Sequence, residues 1–279
     1  MTTDKPITTG SKATAEPVLE IADLSVDFRL DSTTVHAVRG VSLRLAQGET
    51  LAVVGESGSG KTATALSVLR LNPQPPCVYA GGRILFDGRD LLTLSEKELG
   101  AVRGQDIAMV FQDPMTSLDP LRRVGSQVAE VLRHHRGLSR AEADAAAVEA
   151  LDEVGVPDPE RRFRQYPHEL SGGLRQRVMI AGALVGRPRV LIADEPTTAL
   201  DVTVQRQILD LLVSLQERHG MAVLLITHDL GVVAETADRV AVMHQGRVVE
   251  TGDVLDVFHR PADDYTRRLL AATPRLELA

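Results

Sequence analysis

Cysteine is nearly missing from this chain: Cys77 is the single thiol in 279 residues. One thiol closes no internal disulfide, fills no multi-cysteine metal site and supplies no iron–sulfur cluster, so a reducing cytosol is the expected compartment. Long apolar runs are missing too. Nothing approaches the ~18 consecutive apolar residues of a membrane-spanning helix, and the N-terminus has no apolar stretch of the kind that makes a secretory leader. Neither a spanning segment nor export is therefore expected. Positive charge is in deficit, with 31 Lys+Arg against 38 Asp+Glu and a formal net charge of −7. That balance argues against a general nucleic-acid binder, although a local basic patch is compatible with it. Lysine is the scarcest charge, 4 residues against 27 arginines, which we read as genome composition rather than function.

What is present is a globular chain, 43% hydrophobic, long enough for one large domain or two small ones with a sizeable core. Its organising stretch is Gly55-Glu56-Ser57-Gly58-Ser59-Gly60-Lys61-Thr62, a G-x-x-x-x-G-K-[ST] pattern. It follows the apolar run Leu51–Val54 and precedes the helix-like segment from Thr62 to Leu69, the strand–loop–helix setting of a P-loop. Glycines let the backbone turn successive N–H groups inward, so that amides and a helix N-terminus converge on phosphate oxygens. Lys61 is expected to reach the β/γ-phosphates, and Thr62 to ligate Mg²⁺. This chain's residue frequencies would yield the bare pattern in roughly three of a thousand such chains, and the flanking strand and helix lower that further.

Around this loop the pattern alternates. Residues 1–17 lack periodicity and read as a disordered lead-in. Val18–Arg29, Val41–Leu45 and Gly82–Asp87, the last ending in an Asp-Gly turn, read as strands of an antiparallel layer, and Ile107–Phe111 as a buried parallel strand. Residues 115–170 change character. Val124, Val128, Val131 and Leu132 recur at helical spacing, and Ser139-x-x-Glu142 is a capping box opening a second helix, so an inserted helical subdomain is expected. Alternation then resumes with helix 172–185, strand 189–193, helix 203–218 stopped by Gly220, strand 222–227, helix 230–236, and a hairpin turning at Gln245-Gly246. The fold class is α/β with a mainly parallel sheet.

Two more stretches carry chemistry. Val190–Asp194 is an apolar strand that delivers Asp194 and Glu195 at its carboxyl end, where open α/β sheets bind ligands. Asp194 would hold Mg²⁺ and Glu195 would polarise an attacking water. Leu170-Ser171-Gly172-Gly173-Leu174-Arg175-Gln176-Arg177 places an N-cap serine and two glycines at a second helix N-terminus, suited to close approach by phosphate. One ATP hardly needs both phosphate sites.

That combination resembles the ATP-binding cassette (ABC) family, a P-loop NTPase fold with a RecA-like core, over about residues 18–252, leaving 253–279 as a tail. The resemblance implies that Ser171, Gly172, Gly173 and Gln176 complete the nucleotide site of a second cassette. It makes Gln112 similar to a glutamine that senses Mg²⁺ and the membrane partner. By the same resemblance Asp201 matches an interface aspartate, His228 a histidine on the γ-phosphate, and Phe28 the adenine-stacking aromatic. Phe111–Pro120, Tyr166–Leu170, Ala199–Gln205 and Tyr265–Leu270 followed by Pro274 resemble ATPases of dipeptide, oligopeptide and nickel importers. Asp264 departs from that subfamily, as does the missing Cys-containing extension. Implied with it are ATP and Mg²⁺ as cofactors, a second ATPase subunit of different sequence, two transmembrane permease subunits and an extracytoplasmic solute-binding protein, with the chain peripheral at the cytoplasmic face of the membrane. A DNA-repair-type ATPase of the same family would carry coiled coils or basic surfaces between the motifs, and a ribosome-associated one a second P-loop; neither feature is present.

Overall fold

The structure, a computed structural model, describes residues 16–272 apart from residue 199, with only the backbone at 115 and 116. Nearly all of the expected lead-in, and Pro274, lie outside the described residues. Two sheets form. The first is an antiparallel layer of β1 (Pro17–Arg29), β2 (Thr34–Ala46), β4 (Cys77–Phe86) and β5 (Arg89–Asp90), in the order β2-β1-β4-β5. The second contains β3 (Thr50–Val54), β6 (Ile107–Val110), β7 (Val190–Asp194), β8 (Ala222–Ile226), β9 (Arg239–His244) and β10 (Arg247–Asp253), in the order β10-β9-β3-β8-β7-β6. All its pairings are parallel except β10 with β9.

Strands β3, β6, β7 and β8 are buried at every position, as expected of a sheet covered on both faces. Side chains alternate across the sheet, so odd and even positions enter different cores. Leu51, Val53, Ile107, Met109, Val190, Ile192, Leu224 and Ile226 meet the antiparallel layer and α1 (Lys61–Val68). Ala108, Val110, Leu191, Ala193, Val223 and Leu225 meet a helical face that includes α4 (Val124–Arg136), α5 (Arg140–Glu153), α7 (Gly172–Leu184) and α8 (Val202–His219). A third core joins Ala52, Val54, Val240 and Val242 to α9 (Leu230–Thr236), α10 (Val254–His259) and α11 (Asp264–Ala271). Truncating a fully buried residue such as Leu191 to Ala would cost about 2–5 kcal/mol, so the sheet is a rigid platform for whatever its ends carry.

Between β6 and α7 the chain is helical, with α3 (Pro114–Ser117), α4, α5 and α6 (Pro159–Phe163). Ser139 and Glu142 form the capping box reciprocally, and Gly220 ends α8 in the left-handed conformation at φ 60°. Some elements differ from the expected ones; β5, α10 and α11 are additions. Strand β2 begins at Thr34 rather than Val41, because residues 34–40 are mostly exposed and show little apolar alternation. Strand β4 begins at Cys77 rather than Gly82. Helix α2 (Glu96–Val102), opened by a second capping box at Ser95 and Glu98, is an addition, too short for its apolar spacing to stand out.

Candidate active site

The carboxyl ends of β3, β6, β7 and β8 lie side by side, and each delivers one part of the site. After β3 the chain turns through Gly55 (φ 149°), Gly58 (φ 79°) and Gly60 (φ 101°), backbone that side chains rarely adopt. At Gly55 and Gly60 space is also decisive: a Cβ would fall inside 3.0 Å of the Met243 and Ala37 carbonyl oxygens respectively. The loop is thus clamped between β2 and the β9–β10 hairpin, whose Gly246 N–H donates to the Ser59 carbonyl at 3.0 Å. Gly60 then starts α1, with Lys61 as its first residue.

Lys61 is buried. Its ammonium donates to the carbonyls of Gly55 (2.7 Å) and Glu56 (3.0 Å), and burial lowers its pKa against the opposing pull of Glu195 and Asp194. Asp194, at the end of β7, is 4% exposed and accepts from the Thr62 hydroxyl at 3.2 Å. Burial pushes its carboxyl up to about 6; the neighbouring Glu195 charge adds to the rise, while Thr62 and Lys61 oppose it.

Glu195 sits one residue beyond the strand with φ 46°, a left-handed conformation for a non-glycine residue, pinned by its N–H donating to the Ile226 carbonyl. Its carboxylate is held on both oxygens. Gln112 Nε2 (3.0 Å) and the Thr198 hydroxyl (2.9 Å) donate to Oε2, and His228 Nδ1 lies 3.1 Å from Oε1. Segments far apart in sequence therefore converge on one carboxylate. In front of it lies an open cleft of about 870 Å³, walled by Ser57, Gly58, Gly60, Lys61, Thr62, Gln112, Glu195 and His228, and on its outer side by Val35, His36, Ala37, Arg39, Gln245 and Gly246.

Not every expected residue reaches this cleft. Gly55 and Ser59 are buried beneath the loop, and Glu56 is exposed. Phe28 is half-buried against the core of the antiparallel layer, while its pairing partner Val35 and then His36 form the wall. Ser171 caps α7 by accepting from Leu174 N–H and faces solvent together with Gly172. Gly173 has a packing reason for being glycine, since a Cβ there would meet the Val204 side chain at 2.8 Å. Gln176 is 1% exposed and donates to the Pro196 carbonyl at 2.6 Å, which ties the second helix N-terminus to the segment following Glu195. Asp201 caps α8 by accepting from Val204 N–H at 3.0 Å. Sequence reasoning gave no role to Thr198, which opens the stretch ending at Asp201, or to the outer wall.

A family model described as ABC_tran, ABC transporter, matches residues 38–198, more than half of the chain. The chain belongs to the ABC transporter family. Within that family it is 55% identical to the oligopeptide transport ATP-binding protein OppD of Bacillus subtilis (strain 168), over 93% of this chain and 73% of that protein. It is 51% identical to the dipeptide transport ATP-binding protein DppD of the same strain, over 94% of this chain and 78% of that protein. Among solved structures it is similar to a dimeric ATP-binding cassette in a post-hydrolysis state bound to ADP and Pi (TM-score 0.75, 29% identity, 85% of this chain and 98% of that one). The architecture is accordingly that of an ABC ATPase cassette: a parallel core, an antiparallel β layer and a helical subdomain.

Proposed function

We propose that this chain is the ATP-binding and hydrolysing subunit that energises a membrane ABC importer of peptides. The observation that carries the catalytic half of this reading is the gathering of Lys61, Thr62, Asp194, Gln112, His228 and Glu195 at adjacent strand ends around one cleft. The peptide half rests on the relatives: those named above, at 51% and 55% identity, are named for dipeptide and oligopeptide transport. Nickel or another small solute is the alternative cargo.

ATP phosphates fit the amide-lined loop at the start of α1, and Lys61 exchanges its two carbonyl partners for phosphate oxygens. The donor set also suits a hard divalent cation: a buried carboxylate with only a hydroxyl on it, raised to about 6, is poorly compensated and gains most from a neighbouring positive charge. Thr62, Asp194 and Gln112 would hold Mg²⁺, which supplies charge neutralisation at the phosphates. Glu195 orients the attacking water and takes up its proton, with His228 beside the γ-phosphate. Phe28 or the neighbouring wall residues would face the adenine. Ser171, Gly172 and Gly173, backed by Gln176, complete the site of a second cassette of different sequence, with Asp201 at the joint.

We assign residues 1–17 to a lead-in, the cassette to residues 18–252, with the helical subdomain at about 115–170, and residues 253–279 to a C-terminal tail. The helical subdomain passes motion to two permease subunits, fed by an extracytoplasmic solute-binding protein, with the chain peripheral on the cytoplasmic membrane face and no nucleic acid bound. An apolar groove of about 410 Å³ between β6 and α4, edged by Phe111, Leu118, Val128 and Val131, supports that docking. No helix among the described residues is long and apolar enough to cross a membrane. The test is uptake in cells lacking this chain. Loss of labelled di- and oligopeptide uptake, restored by the wild-type chain and not by Lys61→Ala, is expected; loss of nickel uptake with peptide uptake intact would assign the alternative cargo.

A further inference from the structure

The C-terminal helix α11 touches the P-loop itself. Glu56 N–H donates to the Tyr265 hydroxyl at 3.1 Å across 209 residues of sequence. That bond withdraws the amide from the set of N–H groups available to phosphate and fixes the direction in which the loop sets out. Tyr265 is itself firmly held. It is 6% exposed and belongs to the core that contains Val54, the residue just before the loop. Its ring stacks on His244 at 3.9 Å between centroids and 26° between planes. Its backbone N–H donates to Asp263 at 2.7 Å, and the Glu250 carboxylate receives the N–H groups of Ala262 and Asp263 at 2.7 and 3.1 Å, anchoring the start of α11 to β10.

We infer that Tyr265 is a positioning residue for the P-loop, through which the C-terminal helix sets nucleotide affinity. This rests on the reading of the loop as the ATP site. Glu56 is held at both ends, its N–H by the Tyr265 hydroxyl and its carbonyl by the Lys61 ammonium and the Ser59 N–H. When Lys61 turns to phosphate, the carbonyl is left with the Ser59 turn bond inside the loop, and the phenol is what ties the Gly55–Ser57 segment to α11 from outside it. The contact therefore matters most when nucleotide is bound, which separates it from a general packing role. A displacement of α11 would reach the phosphates through this one hydrogen bond.

Tyr265→Phe keeps the ring, the stack on His244 and the place in the core, and removes only the acceptor. In the full-length chain, titration with mant-ATP and mant-ADP in the presence of Mg²⁺ should show Kd raised roughly three- to tenfold for both, the range of one lost hydrogen bond. KM should rise in parallel, with kcat at saturating ATP within twofold. Amide exchange should accelerate at Glu56 while the amides of Leu51 to Val54 keep their rates. A Kd changed by less than twofold overturns the inference. So does a raised Kd accompanied by faster exchange throughout β3, which would mean general loosening. If the wild-type chain fails to bind mant-ATP, the ATP reading fails instead, and the exchange rate at Glu56 still decides whether Tyr265 tethers the loop.

Discussion

Asp194→Asn should make the metal-free protein more stable at pH 8 while removing its activity. In the fold the carboxyl is raised from 3.8 to about 6, burial being the main cause. Because the folded state holds this proton more tightly than the unfolded one, the contribution is favourable below pH 4 and is lost as pH rises through about 6. At pH 8 the native protein carries an ionised, 4% exposed carboxylate whose penalty, converted from the shift, is about 3 kcal/mol. Asn has the same shape, still accepts from the Thr62 hydroxyl, and never ionises. For a chain of this size about 3 kcal/mol corresponds to roughly 5–10 °C in Tm. Thermal melts of the two proteins in EDTA should nearly coincide below pH 4 and separate between about pH 4 and 6.5, the variant then melting higher by a steady margin up to pH 8. ATP hydrolysis with Mg²⁺ should meanwhile fall to background. A variant that melts lower than wild type at pH 8, or by a constant offset at every pH, would refute the claim that an undercompensated charge sits at the end of β7.

Glu195→Gln should bind ATP normally and lose about 100-fold or more in turnover, since water activation is removed while the phosphate ligands stay; near-normal single-turnover hydrolysis would move the base elsewhere. Gly60→Ala should be far worse than Gly58→Ala. Both force a side chain into positive φ, but only the Gly60 Cβ would collide with a backbone oxygen, so a loss of about 2 kcal/mol or more against about 1 is expected in denaturant unfolding, with mant-ATP binding lost for the former. Ser171→Arg should leave ATP binding by the isolated chain intact, apart from about 1 kcal/mol of stability from the lost cap, yet abolish hydrolysis at the partner cassette's P-loop in the assembled complex; retained activity there would remove Ser171 from that site.

How much of this was legible in the sequence depends on where the information lay. The parallel strands were readable because burial on both faces demands continuous apolar residues, and a short run such as Val190–Asp194 bounded by turns suits little besides a buried strand. Lys61, Thr62, Asp194 and Glu195 were readable because each follows directly from such a strand or its helix. Strand β2 was only partly readable: its first half faces solvent and forms a wall of the cleft, so its residues answer to the ligand more than to a core. Thr198 and Tyr265 were harder still. Glu195 lies only three residues before Thr198, but the turn that brings the hydroxyl onto the carboxylate has no apolar pattern to mark it; the partner of Tyr265, Glu56, is 209 residues away and is set by the tertiary fold. Gly173 shows the opposite difficulty: a motif accounts for it at once, yet a side chain there is also forbidden by the neighbouring Val204.

On the proposed assignment of the site, nearly every polar group of the machinery has a protein partner. Lys61 rests on two carbonyls of its own loop, Thr62 on Asp194, and Glu195 on Gln112, Thr198 and His228. Nucleotide binding therefore exchanges hydrogen bonds more than it adds them, and an exchange of like for like contributes little net free energy. The group left poorly compensated is Asp194, with one hydroxyl donor and a burial-raised carboxyl. On that assignment the favourable balance would come from charge: phosphate against the Lys61 ammonium and the α1 N-terminus, and a cation against Asp194. On the proposed reading the same exchange would release Glu195 from part of its hold, so these contacts would keep the base engaged until phosphate and cation arrive together. Binding and the arming of hydrolysis would in this way be one rearrangement of a single hydrogen-bonded set, assembled at the ends of four adjacent strands.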